Sequence, residues 1–227
     1  IYNPPYYPEH MERLGFRKEV DWIEYRITIP DGIPEKHVRI ADLISRKYNL
    51  HTAKLTSKKK LKAQYGQAVF ELVNEAYADL YGFVPLTQRQ IEHYIDVYLG
   101  ILRLDDISLV VDADDRLIAL GISMPSLSQA LRKSNGRLLP FGWYHLLRAI
   151  QGHSDVVDLL LVAVKPEYQS KGVNALIFAE LIPRYIANGY KFAESNVELE
   201  GNGNVQKQWE YFERRQHRRR RAFVKEL

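Results

Sequence analysis

From Val156 to Val164 the chain runs Val, Val, Asp, Leu, Leu, Leu, Val, Ala, Val, an apolar stretch broken only by Asp158. A run of this length, bounded by polar residues and rich in β-branched ones, is the pattern of a strand buried on both faces. Such a strand needs paired neighbours and cover above and below, so the chain must build a layered α/β unit around it. The strand leads through Lys165, Pro166, Glu167, Tyr168, Gln169, Ser170, Lys171, Gly172, Val173 and Asn174 into a helix predicted over residues 172–188. A loop entering a helix aims free backbone N–H groups at one point, and the helix dipole adds partial positive charge there. That suits a pyrophosphate. The same spacing also serves a plain strand-to-helix connection with a glycine for tight packing.

The elements around this unit follow from periodicity. Helices are predicted over residues 35–48, over 58–80 on the spacing of Leu61, Tyr65, Val69, Leu72 and Val73, and after Thr87, which forms a capping box with Gln90. Residues 107–111 and 117–122 read as strands joined by the polar turn at 112–116. Residues 192–196 and 220–224 are further strands, with a helix over 204–214 between them. Residues 5–14 read as a short helix stopped by Gly15, and residues 22–29 alternate as a strand. Strands alternating with helices in this order predict an α/β fold with a sheet of mixed direction. Residues 125–153 interrupt it as an insertion of two short helices.

Composition removes several classes of function. The chain has no cysteine, which excludes disulfides, thiolate metal sites and cysteine nucleophiles. Its seven histidines are scattered without paired spacing, so no metal site is expected. The longest apolar stretch, residues 159–164, is far short of a membrane span, and a cytoplasmic location fits the absence of cysteine. The formal charge of +4 is modest and is concentrated in Arg214, Arg215, Arg218, Arg219, Arg220 and Arg221. This run would serve a nucleic acid, acidic acceptor or lipid surface, or a solvated edge that discourages aggregation. Without a wider basic face, nucleic acid is disfavoured as a partner.

The loop after Val164 resembles the acyl-CoA loop of the GNAT superfamily, whose pattern is Gln or Arg, two residues, Gly, one residue, then Gly or Ala. Gln169, Gly172 and Asn174 occupy those places. Asn174 departs from the small residue of the family. The resemblance covers residues 58–227 and implies a mixed, mostly antiparallel central sheet flanked by helices, the acyl-CoA N-acyltransferase fold. It implies that the amides of Ser170, Lys171, Gly172, Val173 and Asn174 hold the CoA pyrophosphate. It also implies that Leu161, Val162 and Val164, on a strand splayed from its neighbour, pair with the pantetheine arm. A Cβ at Gly172 is expected to intrude on the ligand. Asn204 and Tyr211 have the spacing of an Asn and a Tyr on the family's penultimate helix, where the tyrosine protonates the departing thiolate. Residues 1–57 resemble the tail of a preceding GNAT-like domain plus a linker, through Glu12, Arg13, Leu14, Gly15 and Phe16 before a strand.

Asp158 stands where some family members carry a catalytic carboxylate. Set among leucines, its pKa would rise toward that of a general base, unless it lies at the exposed start of the strand. Glu194 and Glu198 compete for that role through a water. Tyr211 could equally pack the helix on the sheet together with Trp209 and Phe212. The insertion, with Phe141, Trp143, Tyr144 and His145, is expected to fold over the acceptor side as a lid. The resemblance therefore implies transfer of an acyl group, acetyl first, from acyl-CoA as co-substrate to the primary amine of a small molecule or peptide. A regulatory module that binds acyl-CoA without turnover, and an aminoacyl or long-chain acyl transferase, are its alternatives.

Overall fold

The computed structural model describes residues 3–226, the side chains of Leu99 and Asn204 excepted. The first half of the chain forms α1 (Tyr7–Arg13), β1 (Arg17–Thr28), α2 (Glu35–Tyr48), β2 (His51–Thr52), α3 (Lys58–Ala76), α4 (Gln88–Ile101) and β3 (Ile107–Val111). After β4 (Leu117–Pro125) the insertion contributes α5 (Ser128–Lys133) and α6 (Gly142–Ile150). The remainder is β5 (Val156–Val164), α7 (Asn174–Ala187), β6 (Phe192–Glu194), β7 (Glu198–Leu199), α8 (Gly203–Gln208) and β8 (Arg214–Val224).

The eight strands make one sheet in the order β2-β3-β4-β5-β6-β1-β7, with β8 also paired to β1. The described pairings are antiparallel except β5 with β6. This is the mixed, mostly antiparallel sheet flanked by helices that the sequence predicts. Ser57 caps α3 by accepting from the Lys60 N–H at 3.2 Å, and the capping box of Thr87 and Gln90 starts α4. Alternation along the strands sorts the core into two layers. Ile118, Val157, Val162 and Val164 pack with α2 and α7, whereas Leu109, Leu120, Ile122 and Ala163 pack with α3 and α4. Among the described residues no helix is long and apolar enough to cross a membrane.

The sequence sets residues 1–57 apart from a unit at 58–227. In the structure β1 instead lies inside the sheet, between β6 and β8, and α2 packs on α7. The sheet therefore has no division at residue 57. The reason is non-local: a strand's partners are not encoded in its own alternation.

The arginine run has a structural partner that the sequence reading missed. Arg221 Nε donates to Asp21 Oδ1 at 2.8 Å and Arg219 Nη1 to Asp21 Oδ2 at 2.6 Å. Arg218 and Arg220 pair with the two oxygens of Glu24 at 2.9 and 2.6 Å. Asp21 is only 1% exposed, so these cations offset the cost of burying its charge. Asp21 and Glu24 lie on β1, and only its pairing with β8 sets them opposite the arginines.

Candidate active site

β5 is paired along its whole length to β4 but meets β6 only over Val156, Val157 and Asp158. Beyond Asp158 the two strands part, because β6 ends at Glu194 and the chain turns toward β1, where the Ser195 N–H donates to Tyr25 O at 2.8 Å. A cleft of about 1000 Å3 opens in the gap, lined by residues 159–164 of β5 and by Tyr77, Asn196, Gly172 and Asn174. Residues of the α3–α4 connection line one side, and α7, Trp209 and Phe212 line the other, so the cleft passes through the sheet.

The backbone of β5 within the cleft is only partly satisfied. Lys165 N donates to Ile118 O on β4, so alternation turns the polar groups of Val164 and Val162 away from β4 and into the gap. There Gln169 Nε2, Tyr77 Oη and Asn196 Nδ2 donate to the carbonyl oxygens of Val164, Val162 and Leu160 at 3.2, 2.9 and 3.1 Å. A β-bulge gives β5 one extra residue between the pairs Leu161–Ile122 and Leu159–Ser123. That residue is Leu160. The bulge carries the cleft-facing parity from Leu159 to Leu160, so consecutive peptide groups meet the gap. Leu161, Val162 and Val164 all line the cleft.

The loop from Gln169 to Asn174 is bent by two left-handed residues, Ser170 at φ 59° and Gly172 at φ 80°. Among the described residues the N–H groups of Ser170, Gly172, Val173 and Asn174 meet no backbone acceptor, whereas Lys171 N reaches Tyr168 O at 3.4 Å. Asn174 begins α7 and lines the cleft, and its Oδ1 is buried without a hydrogen-bond partner. Gly172 differs from expectation. A Cβ there would sit 3.6 Å from Ile40 and Ile44 of α2, at ordinary contact distance and on the side of the core. The glycine is thus required by its positive φ, not by a ligand approaching its α-carbon.

Asp158 lies on the face opposite Val157 and Leu159, and so does Glu194, whose neighbour Ala193 belongs to the α7 layer. Glu194 Oε2 stands 2.6 Å from His217 Nε2, and Glu194 Oε1 stands 3.6 Å from Arg26. Burial pushes the Asp158 carboxyl above its ordinary pKa, opposed by a hydrogen bond with Ser126 and reinforced by the charge of Glu194. Both candidate carboxylates therefore sit in one polar cluster with His217, Glu24 and Arg218, beside the point where β5 and β6 part, and neither is among the residues lining the cleft. Glu198 lies inside the cleft on the other face. Its Oε1 accepts from Trp209 Nε1 at 2.7 Å, its Oε2 is buried without a hydrogen bond, and burial raises its pKa.

Tyr211 is not brought to the cleft. It is 57% exposed and packs on α2, with Lys36 Nζ 4.0 Å from its ring centroid and His37 beside it. The helix expected over residues 204–214 ends at Gln208, and the chain then turns Trp209 and Phe212 inward. Asn204 falls outside the described side chains. Trp143 and Tyr144 are exposed and are not among the residues lining the cleft, so the insertion does not form the expected lid. Its two helices pack on each other and α6 touches β4.

No family model matches the chain. It is 26% identical over 180 residues to Protein YghO of Escherichia coli (strain K12), covering 78% of this chain and 45% of that protein. It is 25% identical over 174 residues to the bacterial ceramide synthase of Caulobacter vibrioides, covering 74% of this chain and 43% of that protein. The chain thus spans less than half the length of these curated relatives. Among solved structures, a GCN5-related N-acetyltransferase from Sphaerobacter thermophilus superposes with a TM-score of 0.58 at 13% identity. That match covers 95% of this chain and 54% of the other. This protein has the GNAT fold.

Proposed function

We propose that this protein transfers an acyl group from acyl-CoA to a primary amine, and that both acyl group and amine are lipid-like. The observation that carries the reading is the parting of β5 from β6 directly beside a loop in which, among the described residues, the amides of Ser170, Gly172, Val173 and Asn174 meet no backbone acceptor. The diphosphate would bind the N–H groups of Ser170, Gly172, Val173 and Asn174 at the start of α7, where the helix dipole favours negative charge. The pantetheine arm would lie along Leu161, Val162 and Val164 in place of the missing strand. The thioester would then reach the bulge at Leu160, where backbone N–H groups can stabilise the developing oxyanion.

Attack by the amine forms the new C–N bond, and collapse of the tetrahedral intermediate breaks the C–S bond. Asp158 accepts the amine proton, with Glu194 and His217 beside it as the alternative relay. Tyr77 is better placed than Tyr211 to protonate the thiolate. Its hydroxyl lies in the cleft on Val162 O, and burial keeps the phenol protonated. Ile27, Ile29, Leu80 and Phe83 add apolar lining, which favours an acyl chain longer than acetyl. The relative named a ceramide synthase supports the same direction, since a ceramide is the amide of a fatty acid with a long-chain amino alcohol.

Release of free thiol from acetyl-CoA and from palmitoyl-CoA, with a long-chain amino alcohol as acceptor, tests this. Thiol release that depends on the amine and is faster with the long chain is expected. CoA binding without thiol release from either donor would instead make the chain a binding module.

A further inference from the structure

The insertion between β4 and β5 carries chemistry that the cleft does not use. Leu138, Leu139, Phe141, Trp143, Tyr144 and Leu147 are between 45% and 73% exposed and lie in one short stretch of chain. Monomeric proteins rarely leave so many large apolar side chains together in water. From Ser126 to Ser154 there is no aspartate or glutamate, in a chain that has 28 of them, whereas Arg132, Lys133, Arg137 and Arg148 are all exposed. Among the described residues none of these four cations has a carboxylate partner within salt-bridge distance. Arg218, Arg219, Arg220 and Arg221 of β8 differ, because Asp21, Glu24 and Glu200 neutralise them.

Exposed leucines and aromatic rings that share one segment with unpaired cations fit one kind of surface. Tryptophan and tyrosine prefer the headgroup boundary of a bilayer, apolar side chains enter just below it, and lysine and arginine meet anionic headgroups. We infer that the α5–α6 insertion docks this protein peripherally on a membrane containing anionic phospholipid. A protein partner of the same shape would require a complementary acidic face, but would not select for a segment in which every exposed charge is positive and aromatic rings crown a helical turn. Docking here also places the Asp158 end of β5 toward the bilayer, since the insertion joins β5 at that end.

Vesicle co-sedimentation of the whole chain tests this, using phosphatidylcholine alone and phosphatidylcholine with ~30 mol % phosphatidylglycerol, at low and high salt. The mixed vesicles are expected to bind at least about tenfold more tightly, with the difference shrinking as salt rises. Trp143 emission should shift to the blue on binding, and the shift should vanish in Trp143→Phe. Leu139→Ser with Phe141→Ser, and separately Arg132→Gln with Arg137→Gln, should each weaken binding about tenfold or more while leaving the melting temperature unchanged, because all four sites are exposed. Binding to neither vesicle, or equal binding to both, overturns the inference. So does binding undiminished in both double variants, which would assign it to another surface. Dissociation of a dimer by the same substitutions, without vesicle binding, would make the patch an interface between copies of this chain.

Discussion

Asp158→Asn is expected to lower kcat for amine acylation by about 10²–10⁴-fold, the usual contribution of a positioned general base. It should do so without loss of stability. Burial raises the Asp158 pKa, so the folded state holds its proton more tightly than the unfolded chain does. Stability from this group therefore falls as pH rises from the ordinary carboxylate range through the raised value. Above that raised value the wild-type protein carries a half-buried charge that asparagine removes, and there the variant's melting temperature should be equal or slightly higher. The rate of the wild type should climb as pH passes through the raised pKa, and that limb should be absent from the variant. An unchanged kcat in folded Asp158→Asn would remove Asp158 as the base and leave Glu194 with His217.

Asp21→Ala should damage the fold strongly. It strands Arg219 and Arg221 beside a β1–β8 pairing that they now neutralise, a loss of roughly 3 kcal/mol, or a fall in melting temperature on the order of 10 °C. The lower part of the range for a broken buried pair applies because both arginines retain some exposure. The effect also has a pH signature. Arg221, then Arg219 and Lys18, hold the Asp21 carboxyl well below the usual carboxylate range against the cost of burying it. A depressed pKa stabilises fully above the unfolded value of about 4, and that stability is lost as pH falls from there toward the folded value. The gap between wild type and variant should stay constant from neutral pH down to about pH 5 and narrow in stronger acid. A gap that instead widened on acidification would contradict the assignment of Asp21 as the ionised partner.

These two residues illustrate what the sequence could carry. The run Val156–Val164, the loop motif and the helical spacing of Leu61, Tyr65 and Val69 are local patterns, and each appears in the structure as an element of the predicted type. Asp158 was legible because a carboxylate inside an apolar run is conspicuous by itself. The pairing of Asp21 with the arginines was not, since it joins positions 200 residues apart and only the sheet order brings them together. The placement of β1 between β6 and β8 escaped for the same reason. Tyr211 failed differently. Resemblance to the family's penultimate helix set Asn204 and Tyr211 on one helix, but α8 ends before Tyr211 and the turn sends Trp209 and Phe212 inward instead. Tyr77 and Asn196, which meet the free edge of β5, had no local signal at all.

In the proposed complex the loop ending at Asn174 holds a diphosphate and the gap beside β5 holds the arm attached to it. Calorimetric titration of the chain with CoA and with pantetheine, which lacks the diphosphate and nucleotide, tests it most directly. CoA is expected to bind at least about a hundredfold more tightly, because charge-assisted hydrogen bonds to loop amides at a helix N-terminus are lost with the diphosphate. CoA that binds no better than pantetheine, or that does not bind at all, would contradict the account.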